Sequence, residues 1–195
     1  MAKENFDATR GGFGYESPNE GETNDWWTPP ELVESLGYFD LDPCAGKGQT
    51  PLAGAVFTLP GDDGLKDAWF GRVWCNPPYG PHVGQWVDKL RAHGNGIMLI
   101  FARVETKAWR KIWTSADGIL FPFRRIKFLK PDGTNAKCGT APSAFVAYGE
   151  QNVEALRLCG IEGSLVTNME TVYNQPMSLA VEKSVPPVEA MAGGE

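Results

Sequence analysis

The chain has 195 residues, 42% of them hydrophobic, which is enough for one α/β domain with a real core and little more. Its net charge is −6, which taken alone argues against a nucleic-acid partner. No apolar run is long enough to span a bilayer, and the start (Met1 to Gly12) has no apolar signal core, so no membrane association and a cytoplasmic address are expected.

Charge is nonetheless unevenly spread. From Lys89 to Lys137, eleven basic side chains face three acidic ones, a local charge of +8, so the rest of the chain carries −14. One electropositive face on an acidic body could receive a phosphate backbone, although such charges can equally be a solvated surface. Cys44, Cys75, Cys138 and Cys159 form no C-x-x-C pair, and His82 and His93 are the only histidines. No metal site is expected, and the thiols read as small apolar groups.

In chain order, residues 1–24 are rich in Gly, Asn and Glu and read as a flexible arm; a folded domain over 25–160 follows, then a largely flexible tail over 161–195. Thr28-Pro29-Pro30-Glu31 is a helix start, with Thr28 as cap and Glu31 closing a capping box. Leu32, Val33 and Leu36 follow at helical spacing, and Gly37 stops the helix. Tyr38 to Leu41, Ala55 to Leu59 and Arg72 to Cys75 are short strand candidates, each running into a loop of unusual composition. Val83 to Ala92 is an amphipathic helix, and Ile97 to Phe101 reads as a strand buried on both faces. Thr106 to Trp113 is a helix with basic residues on its exposed side. Ile119 to Phe121, Arg124 to Leu129 and Ala144 to Tyr148 complete the strands, the last two predicted to pair as an antiparallel hairpin. The alternation predicts an open, mostly parallel α/β sheet closed by an antiparallel edge hairpin, with ligands at the carboxyl ends of its strands.

Asn76-Pro77-Pro78-Tyr79 follows the third strand. Two consecutive prolines fix φ and remove two backbone donors, leaving carbonyls beside the Asn76 side-chain oxygen. Such a cluster suits an exocyclic amino group, whose lone pair is delocalised into its ring. Hydrogen bonds from its protons to Asn76 and to the Pro77 carbonyl would favour a pyramidal nitrogen and stabilise developing positive charge, worth about 2–4 kcal/mol per oriented group. Tyr79 supplies a ring for a base taken out of the helix. A plain Pro-Pro turn is the competing reading. The loop Leu41-Asp42-Pro43-Cys44-Ala45-Gly46-Lys47-Gly48 is neither a G-x-G-x-x-G nor a P-loop, and its acid suits a ligand with an amino acid moiety. A structural tight turn fits it equally well. Asp62-Asp63-Gly64-Leu65 offers a carboxylate to an adenine or a ribose, though an Asp-Gly turn is the commoner meaning. Trp26-Trp27-Thr28-Pro29 anchors the core or lines a pocket at the first helix.

In this order, Trp26/Trp27-Thr28-Pro29, Asp42-Pro43-Cys44-Ala45, Asp63-Gly64-Leu65 and Trp69-Phe70-Gly71-Arg72-Val73-Trp74-Cys75-Asn76-Pro77-Pro78-Tyr79 resemble the phage-type (Dam-like) DNA N6-adenine methyltransferases. Phe101 to Lys107 and Arg124 to Phe128 are similar to the family as well. The resemblance implies a Rossmann-like class I methyltransferase sheet, S-adenosylmethionine as donor and double-stranded DNA as partner. It also implies a phage or prophage origin, and direct in-line transfer without a covalent intermediate. By motif match, Trp27, Thr28, Pro29, Asp42, Pro43, Cys44, Ala45, Gly46, Asp63, Gly64 and Leu65 would line the donor pocket. Asn76, Pro77, Pro78 and Tyr79 would hold the target adenine. No separate target-recognition region is evident, so either the basic stretch from Arg103 to Lys137 reads DNA directly or sequence selectivity is low. Arg103, Lys107, Arg124, Arg125 and Lys127 are the expected contacts to phosphates or bases. An RNA base or protein glutamine as acceptor, or a silent module binding donor or DNA, are the alternatives. Oligomeric state stays open between monomer and weak dimer.

Overall fold

The computed structural model of the chain describes residues 27–58, 60–130, 133–134 and 141–169. The expected N-terminal arm and residues 170–195 of the expected tail lie outside them, as do Cys138 and Leu59, the end of the second strand candidate. The elements run α1 (Pro30–Glu34), β1 (Leu41–Asp42), β2 (Ala55–Val56), β3 (Val73–Cys75), α2 (Val83–His93), β4 (Gly96–Phe101), α3 (Lys107–Trp113), β5 (Gly118–Pro122), β6 (Ser143–Tyr148), α4 (Glu150–Leu158) and β7 (Gly163–Thr167).

One sheet of order β2-β1-β3-β4-β6-β5-β7 holds all seven strands. β1 through β4 pair in parallel, with Leu41 opposite Ala55 and Val73 opposite Gly96. β6 runs antiparallel to both β4 and β5, so β5 points the same way as β1 to β4. The carboxyl ends of five strands therefore open on one edge, where α/β sheets bind ligands.

Side chains alternate across this sheet with the period of two that strands impose. Val73, Cys75, Met98, Ile100 and Val146 meet Trp86, Val87 and Leu90 of α2 and Trp109 and Ile112 of α3. Trp74, Ile97, Leu99 and Phe145 face Val33 of α1, Leu156 of α4, Leu36, Phe39 and Phe128. Burial on both faces explains the continuous apolar run of β4. At the amino edge, the half-buried Arg72 guanidinium donates to Asn152 Oδ1 (2.6 Å) and to the Tyr38 and Leu36 carbonyls (2.9 Å each). Its charge centre lies 4.2 Å from the Phe39 ring centroid. That cluster is structural, with its donors spent on the fold.

Four expectations are corrected. Arg124 to Leu129 is no strand: β6 fills the slot beside β5, with Leu120 opposite Phe145, so this segment pairs only at Leu129, with Trp27. The antiparallel pair at the edge is β5 with β7 instead. Gly163–Thr167, read as tail, is the β7 edge strand, and α4, over residues for which no element is predicted, precedes it. Finally, Thr28 does not cap α1. The N-cap is Pro29 without a side-chain cap, because two prolines leave the first turn with fewer N–H groups to satisfy.

Candidate active site

The loops after β1, β2 and β3 meet at the carboxyl edge, and each approach has a local cause. Gly64 packs so tightly against the β1 loop that a Cβ there would lie 1.9 Å from the Pro43 carbonyl oxygen and 2.7 Å from the Trp86 ring. Only glycine brings the two loops together at this distance. Trp69 Nε1 donates to the Gly64 carbonyl at 2.8 Å and pins the loop from behind. Gly46 lies under the Trp27 indole, where a Cβ would be 3.0 Å from Nε1. Trp27 is in turn tied to the segment after β5 by paired backbone hydrogen bonds with Leu129, of 2.9 and 2.8 Å.

Asp42 is 3% exposed. Burial raises its carboxyl pKa from 3.8 to about 6, against the opposing hydrogen bond that Oδ1 accepts from the Cys44 N–H at 3.0 Å. A buried acid of this kind is a suitable place for a ligand's ammonium or sulfonium. Cys44 and Cys75 bring their sulfurs to 3.7 Å. Burial and the neighbouring sulfur push the Cys44 thiol well above its ordinary pKa, which leaves it protonated and unreactive. Both are free cysteines, Cys75 buried and Cys44 partly so.

Asn76 is held at both ends of its amide. Nδ2 donates to the buried Thr28 Oγ1 at 3.0 Å, and Oδ1 accepts from the Tyr79 hydroxyl at 3.3 Å. Burial raises the Tyr79 phenol above its usual range, so it remains a donor. The Tyr79 ring stacks on Phe101 at 3.8 Å between centroids and 10° between planes. Phe101 is an unexpected member of the site; its position at the end of β4 and its place at the head of the family-like segment Phe101 to Lys107 are the signals that could have found it. With one face of Tyr79 against Phe101, only the other can meet a base. Gln49 is a second unexpected member, donating to the Thr28 carbonyl at 3.4 Å.

Asp63 is engaged within its own turn. Its Oδ2 pairs with Lys66 at 2.7 Å and its Oδ1 accepts from the Leu65 N–H at 3.0 Å, both of which lower its pKa. Its carboxylate thus closes an Asp-Gly turn, the commoner reading of that dipeptide. Arg103 and Lys107 lie beyond β4, and Arg124, Arg125 and Lys127 beyond β5, all exposed on the edge that carries the site. The Arg103 guanidinium is 5.8 Å from the Phe101 ring centroid, while Arg124 pairs loosely with Glu162 at 3.5 Å. The latter three line a groove of about 650 Å³ between α1 and the α4–β7 connection. Among the described residues no group of three or more His, Cys, Asp or Glu could hold a metal ion, and no helix is long and apolar enough to cross a membrane.

A mixed α/β sheet that gathers an acceptor-rich Asn-Pro-Pro-Tyr turn and an acidic, glycine-bearing loop at one edge is consistent with a methyltransferase-like fold. The family model for DNA N-6-adenine-methyltransferase (Dam) matches residues 16–158, more than half of the chain, and the chain belongs to that family. No curated protein and no solved structure matches it.

Proposed function

We propose that the chain transfers a methyl group from S-adenosylmethionine to the N6 amino group of an adenine turned out of double-stranded DNA, on a class I methyltransferase sheet. Family membership supports adenine in DNA as the acceptor. The observation that carries the chemistry is the Asn76 amide, fixed by Thr28 and Tyr79 at the carboxyl end of β3.

The residues present fit the donor. Trp27 Nε1 is buried without a hydrogen-bond partner above the glycine-bearing loop, an indole N–H suited to a carboxylate or hydroxyl acceptor. Asp42 supplies the anionic group that a cationic ligand needs. Trp27, Asp42 to Gly46 and the Gly64-Leu65 turn would hold the donor, which when bound supplies an activated methyl group on a cationic sulfur.

The chain's own part is positioning and electrostatics. Asn76 Oδ1 has two lone pairs, one of which meets the Tyr79 hydroxyl; the other can accept from the adenine amino group. With the Pro77 carbonyl it draws the nitrogen toward a pyramidal geometry and stabilises positive charge there. Tyr79, buttressed by Phe101, presents its remaining face to the base, a stack worth about 1–3 kcal/mol. Arg103, Lys107, Arg124, Arg125 and Lys127 would hold the phosphate backbone at the same edge.

Asn76→Ala tests the assignment. Removing a group of this kind lowers kcat about 100- to 1000-fold, while affinity for S-adenosylhomocysteine, measured by calorimetry, stays within a few-fold. An equal loss of that affinity would move Asn76 to the donor site. Labelled donor offered with DNA, RNA and protein separates the acceptor classes, and incorporation into RNA or protein alone would overturn the reading.

A further inference from the structure

The sequence offers Thr28 two parts, a helix cap and a donor-pocket residue, and the geometry points to a third. We infer that Thr28 is a positioning residue that sets the orientation of the Asn76 amide, so that the oxygen and not the NH2 group faces the amino group of the acceptor.

Three observations converge on it. Thr28 is 1% exposed, and its Oγ1 lies 3.0 Å from Asn76 Nδ2 across 48 residues of sequence. Pro29 is the N-cap of α1 and neither it nor Pro30 carries an N–H, so the hydroxyl just upstream is released from capping. The backbone around Thr28 is fixed from two sides. The Gln49 side chain donates to its carbonyl, and its neighbour Trp27 exchanges two backbone hydrogen bonds with Leu129.

The consequence is chemical. An asparagine amide turned by 180° would present two N–H groups to an incoming amino group, a donor facing a donor. With Nδ2 donating to Thr28 Oγ1 and Oδ1 accepting from the Tyr79 hydroxyl, the oxygen lies on the Tyr79 side, where a stacked base would place its amino group. A buried NH2 group deprived of its acceptor costs about 1–3 kcal/mol, so loss of the Thr28 hydroxyl favours rotation or withdrawal of the amide.

This inference rests on the proposed methyl transfer, and its test has one arm that does not. Thr28→Val keeps the volume and removes the hydroxyl; Thr28→Ser keeps the hydroxyl. In the valine variant kcat is expected to fall at least about tenfold, the factor that about 1.4 kcal/mol produces. KM for the donor and affinity for S-adenosylhomocysteine should stay within twofold, and the serine variant should recover most of the rate. Independently of turnover, the Asn76 side-chain amide proton resonances, identified by their loss in Asn76→Asp, should shift in Thr28→Val and far less in Thr28→Ser. An unchanged kcat in Thr28→Val, or a loss of S-adenosylhomocysteine affinity as large as the loss of rate, overturns the inference. So does an Asn76 resonance indifferent to the hydroxyl. Inactive wild type with the expected resonance shifts would instead count against the proposed reaction and leave the positioning role standing.

Discussion

At the scale of single residues, two side chains make the site's physics measurable. Burial raises the Asp42 pKa from 3.8 to about 6. A carboxyl whose pKa is higher in the fold than in the unfolded chain contributes stability below the unfolded value, and that contribution is lost as pH rises through about 6. Above pH 7 the ionised group costs on the order of 3 kcal/mol, at about 1.4 kcal/mol per pKa unit. Asp42→Asn should therefore raise the melting temperature at pH 8 and leave it nearly unchanged at pH 4. The same variant should bind S-adenosylmethionine more weakly, and the loss of affinity expected of the wild type below pH 6 should be absent from it. A variant less stable than wild type at pH 8 would contradict the burial argument. Tyr79 separates in the same way. Tyr79→Phe keeps the stack on Phe101 and frees one lone pair of Asn76, so its kcat should stay within about threefold. Tyr79→Ala should lose about 5- to 150-fold in kcat/KM for DNA, because the base has no ring to stack on. Steady-state kinetics on a short duplex read both, and equal losses would assign the work to the hydroxyl.

At the scale of elements, the strands and helices that carry the site were legible because their signals are local. The Asn-Pro-Pro-Tyr turn, the amphipathic Val83–His93 and the apolar β4 announce themselves through composition and period. What sequence could not supply was the choice of neighbour. Arg124 to Leu129 alternates like a strand, yet β6 already pairs with β5, so the alternation instead buries Phe128 and leaves Arg125 and Lys127 outward. The β7 residues expose every second side chain at a sheet edge, which gives them a weak apolar signal. Thr28 looks like a cap because the pattern Thr-x-x-Glu is local, whereas its partner lies 48 residues away. The close approach at Gly64 shows the same dependence on distant chain. Gly64→Ala would drive a Cβ into the Pro43 carbonyl, and overpacking of this kind costs about 1–3 kcal/mol or more. The expected outcome is a lower melting temperature together with at least tenfold weaker S-adenosylhomocysteine binding, since both loops must shift. Unaltered binding would show that the two loops do not act as one site.

At the scale of the whole molecule, the chain resolves an apparent conflict between an acidic body and a polyanionic partner. Arg103 and Lys107 follow β4, and Arg124, Arg125 and Lys127 follow β5, two strands whose carboxyl ends open on the same edge as the Asn76 turn. On the proposed reading, such segregation of charge would let DNA approach one face while the remaining surface repels it. Replacing Arg124 and Arg125 together by alanine should weaken DNA binding and flatten the slope of log K against log salt by about 0.9 for each phosphate no longer neutralised. Fluorescence anisotropy across a salt series reads the slope, and an unchanged slope would remove this pair from the interface. The most direct measurement of the central claim is nucleoside analysis of unmethylated duplex DNA after incubation with the protein and S-adenosylmethionine. The account predicts N6-methyladenine with wild type and almost none with Asn76→Ala. DNA left unmodified by a wild-type protein that binds S-adenosylhomocysteine would contradict it.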